Sequence, residues 1–170
     1  PNPELPPFLA DVCLAPPGTE FPAEAVPTSV AIGPDGAYYV GELKGFPAPT
    51  GMSKVWRVEP GTLNADCATS PACSVVYDDF TSIVDLAFGP DGTLYVVELD
   101  ENSWLAVELA FFGLPAAIGG TINACASDGS GCTEVANPFL PTAVAVDKKG
   151  ATYAAVNALI PGAAEVIHLP

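Results

Sequence analysis

Basic side chains are nearly missing from this chain. Four lysines and one arginine stand against twenty carboxylates in 170 residues, for a formal net charge of −15. A surface of that sign repels phosphodiester backbones and anionic lipid, which excludes nucleic acid and membrane insertion as partners. It suits cation binding, or solubility alone. Histidine is reduced to His168, inside the apolar run Val166, Ile167 and Leu169, so a Ser–His–Asp triad has one poor candidate and a structural role fits that histidine better. No GxSxG, HExxH or Walker-type segment occurs. GSG at 129–131 has no strand-to-helix context and reads as a turn. No stretch approaches the ~18 uninterrupted apolar residues of a spanning helix. The most apolar one, 105–118, is broken by Glu108, Gly113 and Pro115. The chain opens PNPELPP, without a leading Met or signal pattern, and reads as a processed mature chain or a fragment. Hydrophobic residues at 49% and charged ones at 15% describe a globular domain rather than a disordered one.

Five cysteines are present. Cys67 and Cys73 flank ATSPA, and Cys125 and Cys132 flank ASDGSG. Short loops of Ser, Gly, Pro and Asp between paired cysteines read as surface loops closed by local disulfides, hence as a secreted (extracellular or periplasmic) protein. Zinc would need tighter spacing and a nearby histidine. Cys13 is left over, for a partner outside the chain or as a free buried thiol.

What the chain has in abundance is repetition. GPDGAYYVGEL at 33–43 returns as GPDGTLYVVEL at 89–99 and, degraded, as DKKGATYAAVN at 147–157. The turn glycines Gly36, Gly92 and Gly150 are 56 and 58 residues apart. Each copy places apolar alternating runs on both sides of the turn (26–32 and 37–43, 83–88 and 93–99, 142–146 and 151–157), which predicts hairpins. Third runs follow at 54–58, 121–125 and 165–169, and fourth runs at 74–77 and 133–136. Four short antiparallel strands in roughly 55 residues form the unit of a β-propeller blade.

The predicted fold is therefore all-β: three four-stranded blades, half of a six-bladed ring. Blade 1 covers 26–80, blade 2 covers 81–138, and blade 3 covers 139–170 without its last strand. An outer strand at 8–14 (FLADVCL) closes a neighbouring blade. Three blades cannot close a ring of the usual four to eight or so. A separate chain, a second copy of this one, or closure of another kind such as a sandwich completes it; open edges also permit growth into a fibre. The insertion at 102–117 (NSWLAVELAFFGLPAA) predicts a short helix capped by Asn102 or Ser103, buried against a neighbour or serving as a partner-binding plug.

One constellation carries possible chemistry. Glu42, Glu98 and Asn157 stand just after the core of each second strand at spacings of 56 and 59 residues, at one level of successive blades. On a common ring they hold a hard cation such as calcium, or they bond backbone amides of the neighbouring blade, a purely structural use. Asp85 on a first strand, with Ser29 and 142–143 in equivalent places, points toward the same channel. The loop 44–52 (KGFPAPTGM) forms a stiff aromatic tip in which Lys44, Phe46, Pro47 and Pro49 are candidates for binding, with local packing of Phe46 as the alternative.

The segment PTSVAIGPDGAYYVGELKGFPAPTGMSKVWRVEPG at 27–61 resembles the ScyD/ScyE family of secreted or periplasmic six-bladed propellers, and SIVDLAFGPDGTLYVVEL at 82–99 looks like the following blade. The GELKGFPAPTG portion is the more specific. GPDG followed by LYV is shared by NHL-like, streptogramin-lyase-like and gluconolactonase-like propellers. The resemblance implies an exported propeller and transfers no catalytic residue. Two functions follow. The favoured one is a non-catalytic, disulfide-braced binding or scaffold module in an extracellular assembly; the other is a propeller lyase or lactonase with a divalent cation at Glu42, Glu98 and Asn157.

Overall fold

The computed structural model describes residue 20, residues 22–113 and residues 117–170. The expected strand at 8–14, with Cys13, lies outside them. Eleven strands and one helix follow in order among the described residues. β1 (Ala25–Ile32), β2 (Tyr38–Lys44), β3 (Ser53–Val58) and β4 (Cys73–Phe80) form one antiparallel meander. β5 (Ile83–Phe88), β6 (Leu94–Glu98), β7 (Thr121–Cys125) and β8 (Cys132–Ala136) form a second. β9 (Ala143–Val146), β10 (Thr152–Val156) and β11 (Glu165–His168) form a third, of three strands. The helix α1 (Trp104–Ala110) lies in the connection from β6 to β7. The protein is all-β, with its sheets arranged as successive propeller blades.

The turn chemistry explains the hairpins. In the first two copies the Asp carboxylate accepts the amide two residues on, Asp35 from Ala37 at 3.1 Å and Asp91 from Thr93 at 3.1 Å. Gly36 and Gly92 adopt φ of 77° and 87°, where a side chain would be strained. In DKKG the aspartate sits earlier, and Asp147 accepts from both Lys149 and Ala151.

Contacts run β1 to β5 and β5 to β9, so the first strand of each blade lies beside the first strand of the next. That is the arrangement of inner strands around an axis. β1 and β5 carry the same bulge, between Pro27 and Ser29 and between Ile83 and Asp85. A repeated bulge is a built feature that bends each inner strand at one level.

The core lies between blades. Each blade has a leading face, toward the blade before it, and a trailing face, toward the blade after it. Between blades 1 and 2, the trailing residues Ala31, Tyr39, Val55 and Tyr77 meet the leading residues Ile83, Leu86, Phe88, Leu94 and Val96. Between blades 2 and 3, the trailing Ala87, Tyr95, Val97 and Ile122 meet the leading Val144, Ala154, Val156, Ile167 and Leu169. Fully burying one such aliphatic side chain contributes about 1.5–3 kcal/mol. Gly41 lets the first pair approach closely, since a Cβ there would stand 2.7 Å from Ile83 Cγ2.

Candidate functional site

The strand registers relate the blades residue by residue. Val30 pairs with Val40 and Leu86 with Val96, a shift of 56; Val144 pairs with Ala154, a further 58. Glu98 is thus the counterpart of Glu42. The counterpart of both in blade 3 is Val156, which is buried in the core. Asn157 stands one place further on, beyond the end of β10 and at φ 54°. Strand side chains alternate faces, so a one-residue offset takes Asn157 out of the row. Its amide Nδ2 donates instead to Glu165 Oε1 at 3.2 Å.

Glu42 and Glu98 are both buried, and each turns toward the third strand of its own blade. Glu42 accepts hydrogen bonds from Trp56 Nε1 and from the Lys44 ammonium. Glu98 accepts from the Thr81 amide and from Asn123 Nδ2 at 2.7 Å, and its Oε2 lies 2.7 Å from Thr121 Oγ1. Trp56 and Asn123 are themselves counterparts, paired with Val40 and Val96. The Thr81 amide belongs to the crossing from blade 1 to blade 2, so Glu98 anchors the entry to its own blade. Neither a hydrogen bond nor an ion pair joins Glu42, Glu98 and Asn157 to one another. Among the described residues, no group of three or more His, Cys, Asp or Glu side chains is placed to hold a metal.

Burial, the largest influence, raises the Glu98 pKa from 4.5 to about 7; the charge of Glu101 adds to it, and the three donors oppose it. Thr121 Oγ1 lies 2.7 Å from Glu98 Oε2 and 2.7 Å from Glu101 Oε1. One hydroxyl proton serves one of those contacts, so the other needs a proton on a carboxyl. A protonated Glu98 donating to Thr121, which donates to Glu101, satisfies the whole chain. Asp100 carries no such relay. It is fully buried, and its two oxygens take the amides of Asn102 (2.9 Å) and Gly119 (2.8 Å), pinning both ends of the insertion. Sequence reading missed Asp100, because a carboxylate between Glu98 and Glu101 looks like surface.

Asp85 does bridge blades. Its Oδ1 accepts from Ser29 Oγ at 2.8 Å, and its Oδ2 accepts from the Val144 amide at 2.9 Å. Ser29 Oγ in turn accepts the Leu86 amide at 3.1 Å. One polar chain therefore ties the three inner strands. Thr28 Oγ1 adds a bond to the Ile83 carbonyl at 2.7 Å.

Two clefts of about 420 Å³ flank these carboxylates. One lies on the leading face of blade 1, between Pro27, Val40, Glu42 and Trp56 and the loop carrying Asp66 and Cys67. The other opens between β4 and blade 2, with Asp78, Asp79, Glu98 and Asn123 in its walls. The 44–52 loop is tied at several points. Gly45 donates to Glu24 O at 3.0 Å, Gly51 to Thr81 Oγ1 at 2.9 Å, and Trp104 Nε1 to Lys44 O at 2.7 Å. Phe46 is partly exposed, whereas Pro47 and Pro49 are buried and the Phe46–Pro47 bond is cis. Helix α1 buries Leu105, Ala106 and Val107, and Val107 packs on Leu99 and Leu140. His168 is exposed on the trailing face of blade 3, with its ring 5.2 Å from that of Tyr153.

Both expected disulfides form, Cys67–Cys73 and Cys125–Cys132. Such bonds persist in an oxidising compartment. No helix among the described residues is long and apolar enough to cross a membrane.

No protein-family model and no curated protein matches the chain. Among solved structures, it is similar to a proposed gluconolactonase, with 12% identity and a TM-score of 0.48, over 82% of this chain and 48% of that one. It is also similar to regucalcin, a calcium-binding protein from Agrobacterium tumefaciens, with 16% identity and a TM-score of 0.37, over 82% of this chain and 59% of that one. Both are propeller proteins. The chain spans about half the length of the first and about three fifths of the second. At these identities and scores, the likeness bears on neither reaction nor ligand.

Proposed function

We propose that this chain is a three-blade segment of an exported propeller ring, and that it serves as a disulfide-braced, non-catalytic binding or scaffold module in an extracellular assembly. The observation that carries this reading is the state of the two end faces. On the leading face of blade 1, Val30 is 64% and Ile32 is 69% exposed, whereas Leu86, the counterpart of Val30, is 5% exposed. On the trailing face of blade 3, Val166 is 73% exposed, whereas its counterpart Ile122 is fully buried. Faces built to be covered call for further blades. The likeness of 27–61 to ScyD/ScyE propellers supports export and a ring. Within such a ring, the acidic, lysine-poor surface and the tip of the 44–52 loop are the surfaces offered for binding; Phe46 is exposed at that tip, while Pro47 and Pro49 are buried and stiffen it and Lys44 is held by Glu42.

A second reading, a lactonase or lyase of the propeller type, has one observation in its favour: a buried carboxyl, Glu98, held near neutrality beside a polar cleft. A calcium ion belongs to that reading. The donor set fits it poorly, because hydrogen-bond donors already occupy both carboxylates and Asn157 stands off the row. A cation at Glu42 would displace the Lys44 ammonium and the Trp56 N–H.

Metal analysis of the purified chain, together with a sugar-lactone turnover assay with and without calcium, separates the two. The module reading expects neither stoichiometric metal nor turnover. Lactone turnover that disappears in Glu98→Gln overturns it in favour of the enzyme.

A further inference from the structure

We propose that the blades covering both end faces belong to a second copy of this chain. Blade 3 of each copy seats on blade 1 of the other, and the pair closes a six-bladed ring. The inference rests on the reading above that further blades cover the two end faces.

Self-complementarity is the first argument. The chain twice docks the same trailing trio onto a leading face: Ala31, Tyr39 and Val55 onto blade 2, then Ala87, Tyr95 and Ile122 onto blade 3. The same shifts give Ala145, Tyr153 and Val166 on the bare trailing face of blade 3. The chain thus carries one unused trio of the kind that its own leading faces accept. Its one bare leading face presents Val30, Ile32 and Val40 where blade 2 presents Leu86, Phe88 and Val96.

Particular contacts follow from the counterparts. Tyr39 packs edge-on against Phe88 across the first blade gap, with centroids 4.8 Å apart. Tyr153 and Ile32 hold those two positions at the closing gap, so Tyr153 packs on Ile32 of the second copy. Thr28 Oγ1 reaches the Ile83 carbonyl across the first gap. Thr142 holds the place of Thr28, and Pro27 that of Ile83, so Thr142 reaches the Pro27 carbonyl of the second copy.

Closure is the second argument. A head-to-tail contact forms a ring only if the rotation closes. Propellers close with about four to eight blades. The described residues of one copy bring three and those of two bring six, while those of three copies overshoot that range.

The closing gap is weaker than the internal ones. Ser29 and Asp85 supply the acceptors for the amides of Leu86 and Val144, but the residue in their place in blade 3 is Ala143. The dimer therefore dissociates on dilution.

Light scattering and native mass spectrometry across about a hundredfold dilution test this. The expected result is twice the chain mass at high concentration and the single mass at low concentration. Ile32→Glu and Val166→Glu each weaken the dimer at least about a hundredfold by placing an unpaired charge in the gap. Both positions are open to solvent in the single chain, so each variant keeps its fold, which circular dichroism checks. Joining Ile32→Lys with Tyr153→Glu restores the dimer through an opposite-charge pair. A single mass at every concentration overturns the proposal, as does a mass growing past the dimer, or a dimer indifferent to these substitutions. A monomer leaves the module reading standing, with its blades supplied from elsewhere. Lactone turnover removes that reading without altering the mass.

Discussion

Leu86 and Val30 are the same position in successive blades, and they live in opposite worlds. Leu86 sits at the centre of a core, 5% exposed, with blade 1 packed over it. Val30 has the same strand partner type, the same turn beyond it and the same bulge before it, yet it is 64% exposed. The carboxyl groups show the same divergence: Glu98 is bound by the crossing between blades and two third-strand side chains, and Glu42 by an indole and an ammonium. In this molecule the repeat specifies the shape of a blade, and the neighbour specifies how much that blade is worth energetically.

The strongest way to break this comparison is to shorten Leu86. Leu86→Ala is expected to cost about 2–5 kcal/mol in denaturant unfolding, through lost burial and a cavity between blades. A loss under about 1 kcal/mol would mean that the blade gap is not a packed core. Opening the bridge at the edge of that core comes next. Cys125→Ser with Cys132→Ser is expected to cost about 2–3 kcal/mol, as for the closure of a short loop. Asp85→Ala removes the acceptor shared by all three inner strands, and a loss of about 2 kcal/mol is expected by thermal melting.

Glu98 gives the comparison a pH axis. Folding raises its pKa from 4.5 to about 7, so between those values the folded chain holds a proton that the unfolded chain has released. The stability from this group is complete below about pH 4.5 and is lost as pH rises through about 7. Glu98→Gln keeps a neutral group there. The wild-type stability relative to this variant is expected to fall by about 3 kcal/mol from pH 4.5 to 8; a pH-independent difference would show that Glu98 stays ionised. The smallest effect closes the set: Val30→Ala, measured where the chain is single, is expected to change stability by about 0.5 kcal/mol or less.

Much of this architecture is legible in the residues. GPDG and DKKG mark the hairpins because Pro, Asp and Gly each do a separate job in a tight turn. Ser, Gly, Pro and Asp between cysteines mark loops that a disulfide can close. The helix in the insertion also follows from local pattern, although Ser103 at its N-cap makes no side-chain cap bond. The bond from Asp85 to Ser29 does not: equivalent places in two repeats direct Asp85 to a channel, and only the packing of blade on blade turns it to Ser29, 56 residues away. Register was harder. Matching polar residues by type aligned Asn157 with Glu98, whereas the turn glycines, 58 apart, align Val156. A strand converts a one-residue error into the opposite face. Nor does a sequence say which way a carboxyl group turns: Glu42 and Glu98 point to third strands because Trp56, Thr121 and Asn123 offer hydrogen-bond partners there. Asp100 was hidden because its burial depends on the amides of Asn102 and Gly119, and Gly119 lies beyond the helix.

Residue-resolved amide exchange, on the chain at a dilution where it is single, tests the account at its root. The Leu86 and Val144 amides donate across blade gaps to Ser29 and Asp85, while Val30, their counterpart, has no described blade before it. Slow exchange is expected at Leu86 and Val144 and fast exchange at Val30. Equal rates at all three positions would contradict it, because the blades would then not be stacked in this order.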